Sequence, residues 1–226
     1  MSASLLGTLT IGQAPRADIT PILEEHLPAG VECIHMGVLD GLDRDTIARR
    51  FPVLPGEAVL TTRLLDGSAV ILGKSAVREA VQAKLDQLEQ LGCRTIALLC
   101  TGEFHGLGCK RAWLMEPDLL VPPVVTALTV ERQAGILVPL PEQMASEGAK
   151  WRALARPPVY AAASPYGSSA AQLTAAALEL KAQRADVIVM DCMGYTEHHR
   201  RIVREATGLP VILSNALLAR LLAALL

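Results

Sequence analysis

Two cysteines at matching points of the two halves of the chain are the residues best placed to do chemistry. Cys100 closes the run from Ile96 to Gly102, and Cys192 closes the run from Val187 to Gly194. Each segment reads as a buried strand ending in Cys-x-Gly. In open parallel sheets a ligand binds beyond the carboxyl ends of the strands, where loops replace the ladder and helix N-termini offer N–H groups. A thiol there can act on a bound molecule. The following Gly102 or Gly194 lets the backbone approach that molecule closely, and Thr101 and Thr196 bring hydroxyls to the same rim. A single cysteine at the end of a core strand is equally well a small apolar filler. Two of them in similar half-chains are different, because a duplicated fold brings its strand ends together across a cleft.

The elements that must position this pair are strand-length apolar runs alternating with helical patterns, the rhythm of parallel sheets with crossover helices. The runs are Leu5 to Ile11, Val31 to Met36, Thr95 to Cys100, Ile136 to Val138, Val159 to Ala163, Val187 to Asp191 and Val211 to Leu213. Between Ser75 and Leu91, the residues Val77, Val81, Leu85, Leu88 and Leu91 recur every three or four positions and predict a helix packed on a sheet. Helices are also expected over Leu173 to Gln183 and Thr196 to Thr207, and from Thr20 as cap and Pro21 as first position to Leu27. Asp66-Gly67 between two apolar runs predicts a hairpin of Val59 to Leu64 with Ser68 to Leu72. The fold class is therefore α/β, with two pseudo-symmetric lobes, each a mainly parallel sheet flanked by helices, and a ligand cleft between them. Pro122 and Pro123 mark the expected lobe boundary. Residues 1–124, completed by 210–226, form the first lobe and residues 125–209 the second. The apolar tail from Ala216 to Leu226 closes back on the first lobe, or its leucines form the interface of a homo-oligomer.

Composition narrows the partners. Of the 226 residues 51% are apolar, yet no uninterrupted apolar run reaches the ~20 residues of a membrane helix. A formal charge of −2 and 3% aromatic residues supply neither the phosphate-seeking charge nor the stacking platforms of a nucleic-acid binder. The expected partner is a small molecule, with no nucleic acid and no membrane. The start, Met1 to Gly12, lacks the basic n-region of a signal peptide, so the expected compartment is the cytoplasm. Five cysteines without an export signal argue for free thiols. Cys100 and Cys192 are expected to react with iodoacetamide before Cys33 and Cys93, being at strand ends near helix N-termini. Cys100, His105 and Cys109 with His198 or His199 fit no common metal-site spacing, so no metal is expected. Gly73-Lys74-Ser75 looks like the end of a phosphate loop, but Gly67 falls one residue too early and Val70 to Leu72 reads as strand.

The blocks Gly7 to Asp18, His35 to Leu42 and Thr62 to Gly67, together with the two cysteine segments, resemble the AroM family almost end to end. That family is similar in turn to the aspartate/glutamate racemase superfamily, which includes glutamate, aspartate and hydantoin racemases, maleate isomerase and arylmalonate decarboxylase. The resemblance implies a cofactor-independent racemase, epimerase or isomerase. One cysteine thiolate removes the proton on carbon next to a carboxylate or carbonyl, and the other thiol returns a proton from the opposite face. It also implies substrate contacts for Gln13 and Arg16 after the first strand, with Arg16 able to hold a carboxylate through two parallel hydrogen bonds on a surface position. Ser164 and Tyr166 follow a strand at the matching place in the second lobe, and the residues beside the cysteines, Thr101, Gly102, Met193, Gly194, Tyr195 and Thr196, complete the expected binding set. Glutamate racemases follow their cysteines with Asn-Thr and Thr-His, whereas this chain has Thr101-Gly102 and Met193-Gly194. The second context is closer to hydantoin racemases and weighs against an amino-dicarboxylate substrate. Two alternatives remain open on the sequence: a lyase or decarboxylase using one cysteine to protonate a carbanion, and a non-catalytic small-molecule-binding regulator that keeps the fold.

Overall fold

The computed structural model describes residues 5–226; residues 1–4, on which part of the leader reading falls, lie outside the described residues. Two four-stranded parallel sheets carry the architecture. The first has the order β2 (Glu32–Gly37), β1 (Leu5–Thr10), β5 (Thr95–Leu99), β6 (Trp113–Met115), and the second β10 (Val211–Leu213), β9 (Val187–Met190), β7 (Ala134–Val138), β8 (Val159–Ala162). Strands β5 and β9, which lead into Cys100 and Cys192, are interior in their sheets, and all their residues are buried. That is why both read as unbroken apolar runs: each face of each sheet is covered.

Helix α3 (Lys74–Gln90) covers one face of the first sheet with Val77, Val81, Leu85 and Leu88, all buried at the expected spacing. Burying each such side chain is worth about 1.5–3 kcal/mol relative to exposing it. The fifth residue of that stripe, Leu91, lies just past the helix end and is exposed. Helices α1 (Thr20–Glu24) and α8 (Ser214–Leu225) cover the other face through Ile19, Leu23, Leu218, Ala219 and Leu222. In the second sheet α6 (Ala170–Ala182) and α7 (Glu197–Thr207) pack on one side, and α4 (Pro117–Leu128) with Trp151 on the other. The hairpin is present as β3 (Val59–Arg63) paired antiparallel with β4 (Ala69–Gly73), and Gly67 takes the positive φ of +86° that its turn requires. Two further short helices, α2 (Arg44–Arg50) and α5 (Pro141–Ser146), lie in connections. Among the described residues no helix is long and apolar enough to cross a membrane.

Three details differ from the sequence reading. Thr20 is not the cap of α1; Ile19 holds that position without a side-chain cap bond, and Pro21 follows within the first turn. Pro122 and Pro123 do not break the chain between lobes but lie inside α4. A proline there loses a helical bond and crowds the preceding turn, and the burial of Val121, Pro122 and Val125 against the second sheet holds the helix together regardless. The closing segment, residues 210–226, divides: β10 joins β9 in the second sheet, while α8 returns to the first.

Candidate active site

Cys100 and Cys192 line one cavity between the sheets, with a free volume of about 20 Å³. This is room for about one water. Both residues are buried, at 8% and 7% exposure. Each sulfur receives the N–H of the glycine two residues on, Gly102 at 3.4 Å for Cys100 and Gly194 at 3.5 Å for Cys192. The Cys-x-Gly motif is thus a small turn that aims an N–H at its own sulfur. Both glycines sit where neighbouring side chains approach closely. A Cβ on Gly102 would lie 2.7 Å from Leu60 Cδ2, and one on Gly194 would lie 2.4 Å from the Tyr166 ring.

The two thiols are not equivalent. Cys192 has Tyr166 Oη at 3.7 Å, and that hydroxyl also accepts a bond of 3.0 Å from Arg16 Nη2. Burial raises the pKa of Cys192, opposed by the Gly194 N–H, the Tyr166 hydroxyl and the Arg16 charge. Burial pushes Cys100 up to about 12, opposed by the Gly102 N–H and, more remotely, the Lys150 ammonium. The expectation of two acidified, exposed thiols is therefore corrected: Cys33 and Cys109 are the partly exposed cysteines, whereas Cys93, Cys100 and Cys192 are buried.

Arg16 lines the same cavity but is not at the surface. It is 4% exposed, and its fork is filled by Asp18, with Nε to Oδ1 at 2.8 Å and Nη2 to Oδ2 at 2.7 Å. The two parallel bonds expected for a substrate carboxylate are made to a carboxylate of the chain itself. Nη1 faces Thr10 Oγ1 at 3.1 Å and Thr62 Oγ1 at 3.5 Å. Burial works against the guanidinium charge, but Tyr166 and Asp18 more than reverse this and raise its pKa.

The structure brings Arg16, Cys100, Thr101, Gly102, Tyr166, Cys192 and Met193 onto one cavity, with Gly194 directly behind Tyr166. It places four expected residues elsewhere. Gln13 faces a separate open cleft and spends its amide on backbone, donating to Leu39 and Leu42 carbonyls and accepting from Leu65 N–H. The Ser164 hydroxyl accepts from Tyr166 N–H within its own turn. Tyr195 is fully buried with its hydroxyl on the Ala163 carbonyl, and Thr196 caps α7 in a reciprocal box with His199. His105 is 84% exposed and points toward Glu103, and among the described residues no three His, Cys, Asp or Glu side chains gather as metal ligands. The helix start at Lys74-Ser75 is occupied by the Glu57 carboxylate, which accepts from Ser75 N–H.

The sequence reading missed Lys150. Its ammonium, 3% exposed, pairs with the carboxylate of Asp191, donates to the Thr101 carbonyl at 2.8 Å, and lies 3.6 Å from Glu147 Oε2. Thr101 Oγ1 donates in turn to the Asp191 carbonyl at 3.2 Å. Thr101 follows Cys100 and Asp191 precedes Cys192, so one buried cation holds the backbone beside both thiols. Gln143, in the first turn of α5, also lines the thiol cavity and bonds across to the Val59 carbonyl at 3.2 Å.

Solved structures share this architecture. Glutamate racemase from Francisella tularensis subsp. tularensis SCHU S4 in complex with D-glutamate matches at TM-score 0.66 and 10% identity, over 100% of this chain and 81% of that one. Unliganded arylmalonate decarboxylase matches at TM-score 0.60 and 16% identity, over 99% and 92%. Allantoin racemase from Klebsiella pneumoniae matches at TM-score 0.62 and 11% identity, over 99% and 87%. At these identities the likeness shows a shared fold and nothing beyond it. No curated protein sequence matches the chain. The model of a family described as AroM protein matches residues 6–226, and the chain belongs to that family.

Proposed function

We propose that the protein is a cofactor-independent enzyme that moves a proton at carbon next to a carboxylate or carbonyl of a small molecule, using Cys100 and Cys192 from opposite sides. The observation that carries this reading is the shared cavity: two thiols from the interior strands of two sheets close on one space, each with a glycine N–H on its sulfur. One thiolate takes the proton and becomes a thiol. The other thiol gives its proton to the opposite face of the carbanion and becomes the thiolate. The charge that develops on the carboxylate or carbonyl oxygens requires oriented donors, and Arg16, Thr62 and Tyr166 line the cavity. Burial raises both thiols, but at Cys192 Tyr166 and Arg16 oppose it, which supports Cys192 as the first base and Cys100, pushed up to about 12, as the acid.

That same asymmetry favours a second reading in which a single thiol protonates a carbanion left by loss of carbon dioxide. Exchange of α-protons in heavy water, followed by NMR over amino acids, hydantoins and 2-hydroxy acids, tests the first. Serine is nearly isosteric with cysteine but has a far higher pKa, so either Cys100→Ser or Cys192→Ser should abolish interconversion of enantiomers. One dead and one nearly normal variant overturns the racemase reading in favour of the single-thiol one. Full turnover in both removes cysteine catalysis.

A further inference from the structure

Beside the thiol cavity lies a second chamber of about 40 Å³, and Leu60, Thr101, Gly102 and Gln143 line both. Its wall is unusual in what it leaves unpaired. Among the described residues, the buried side-chain atoms without a hydrogen-bond partner are Glu116 Oε2, Asp118 Oδ1, Thr126 Oγ1, Gln143 Oε1, Glu147 Oε2, Trp151 Nε1 and Tyr160 Oη. Buried polar groups are normally satisfied, and each exception requires a reason. Two of these, Gln143 Oε1 and Glu147 Oε2, belong to residues of the chamber wall. Trp151 lies under Lys150, whose Nζ is 5.4 Å from its ring centroid.

The unpaired atoms of the wall are acceptors. The Gln143 amide is fixed by Nε2 donating to Val59, which leaves Oε1 free. Glu147 Oε2 has only a long ion pair, 3.6 Å from Lys150 Nζ, and keeps room for a closer donor. Lys150 donates to Asp191 and the Thr101 carbonyl and has Glu147 Oε2 at 3.6 Å, so its charge is already met by two carboxylates of the chain. Lys74 and Lys150 face three carboxylates, Glu103, Glu147 and Asp191, so the chamber offers no net positive charge to an anionic ligand. An ammonium would fit the acceptors but would stand beside the buried Lys150 cation. An uncharged N–H group meets neither obstacle.

Resting on the two-thiol reading above, we propose that this chamber is the far half of the substrate site and takes an uncharged N–H-bearing group, such as a primary amide, through Gln143 Oε1 and Glu147 Oε2. The substrate is then a small carboxylate or carbonyl compound whose reacting carbon lies between the thiols and whose amide reaches toward Lys150.

Calorimetric titration of the full chain at about pH 8 with succinamate, with the monomethyl ester of succinate and with 4-aminobutanoate tests this. Each carries one carboxylate, and only the first ends in a neutral N–H donor. Succinamate should bind about tenfold more tightly than the other two, the worth of one or two buried hydrogen bonds. It should also slow iodoacetamide labelling of Cys100. Gln143→Leu, with its fold checked by circular dichroism, should bring the three ligands to equal affinity. The wild-type comparison stands even if that variant fails to fold. Equal affinities for all three in the wild type, or no binding of any, overturn the proposal. If all three bind equally and still protect Cys100, the thiol site stands and only the amide chamber falls. Amide preference without protection of Cys100 also overturns it, because the chamber would then not be continuous with the thiols.

Discussion

Replacing Lys150 by methionine isolates the one cation that ties the two cysteine loops together. Its partner Asp191 is 1% exposed, and without Lys150 that carboxylate keeps only the Ser214 hydroxyl at 3.4 Å. The Thr101 carbonyl loses its ammonium partner as well. Breaking a buried ion pair from one side costs about 3–5 kcal/mol, because the surviving charge stays buried. The stranded carbonyl adds about 1 kcal/mol, and methionine fills most of the space, so little cavity cost enters. A loss of about 4–6 kcal/mol is therefore expected for Lys150→Met, read as the fall in the urea midpoint multiplied by the slope of unfolding free energy. The double variant Lys150→Met with Asp191→Asn removes the stranded charge and should recover about half of that loss. A single-variant loss under about 1 kcal/mol, or a double variant no better than the single, would refute the argument that the pair is held by mutual neutralisation. The sign of the pH dependence follows from the same contacts. Burial alone would lower the pKa of Lys150, but Asp191 and Glu147 outweigh it and raise the value. The contribution is whole below the unfolded lysine value of about 10.4 and is lost only as pH rises through the higher folded value.

Three further outcomes are expected. In the native protein iodoacetamide should label the partly exposed Cys33 and Cys109 ahead of Cys100 and Cys192, as mass spectrometry of peptides would show; Cys100 labelling first would contradict a closed cavity. Arg16→Ala should destabilise the fold by about 3–5 kcal/mol, since it strands Asp18 at 6% side-chain exposure, and Arg16→Ala with Asp18→Ala should recover part of it in chemical unfolding. Burial raises Glu147 and Glu116 from 4.5 to about 7, so the folded state binds protons more tightly than the unfolded one. Their stabilising effect is complete below about pH 4.5 and fades as pH rises to about 7, and Glu147→Gln should flatten that fall in thermal unfolding curves.

Periodicity exposed the elements whose burial is simple. The α3 stripe and strands β1, β5, β7 and β9 are buried along nearly their whole apolar length, so their sequence is a direct record of the fold. The elements it concealed are those where another force overrides local preference. Helix α4 carries two prolines in its interior and persists because Val121 and Val125 fill the far side of the second sheet. Strand β6 has three residues, and its Trp113 is 68% exposed on an edge, so no alternation could announce it. Strand β10 is legible as an apolar run but its sheet is not: the pairing of Val211 with Ile188 puts it in the second sheet while α8 returns to the first.

The site shows why thiols are legible and their supporting charges are not. A cysteine pair stands out because each repeats the same strand-Cys-x-Gly pattern at the same fold position. Lys150 has no such mark: it follows Gly148 and Ala149 in a connection that reads as solvent-exposed, and only the i, i+3 step from Glu147 hints at a pair. What buries it is a contact with Asp191, which is 41 residues away and becomes its neighbour only when β9 joins its sheet. Arg16 is concealed for a related reason, since a charged residue in a loop reads as surface. Its two parallel bonds to Asp18 and its bond to Tyr166, 150 residues on, let the guanidinium remain charged inside the protein. A buried charge survives only where opposite charge and hydrogen bonds converge on it, and in this chain those partners come from both sheets. The same convergence puts Arg16 beside Cys192 and Lys150 beside Thr101. The charges that no local pattern reveals are thus the ones that fix where the two sulfurs stand.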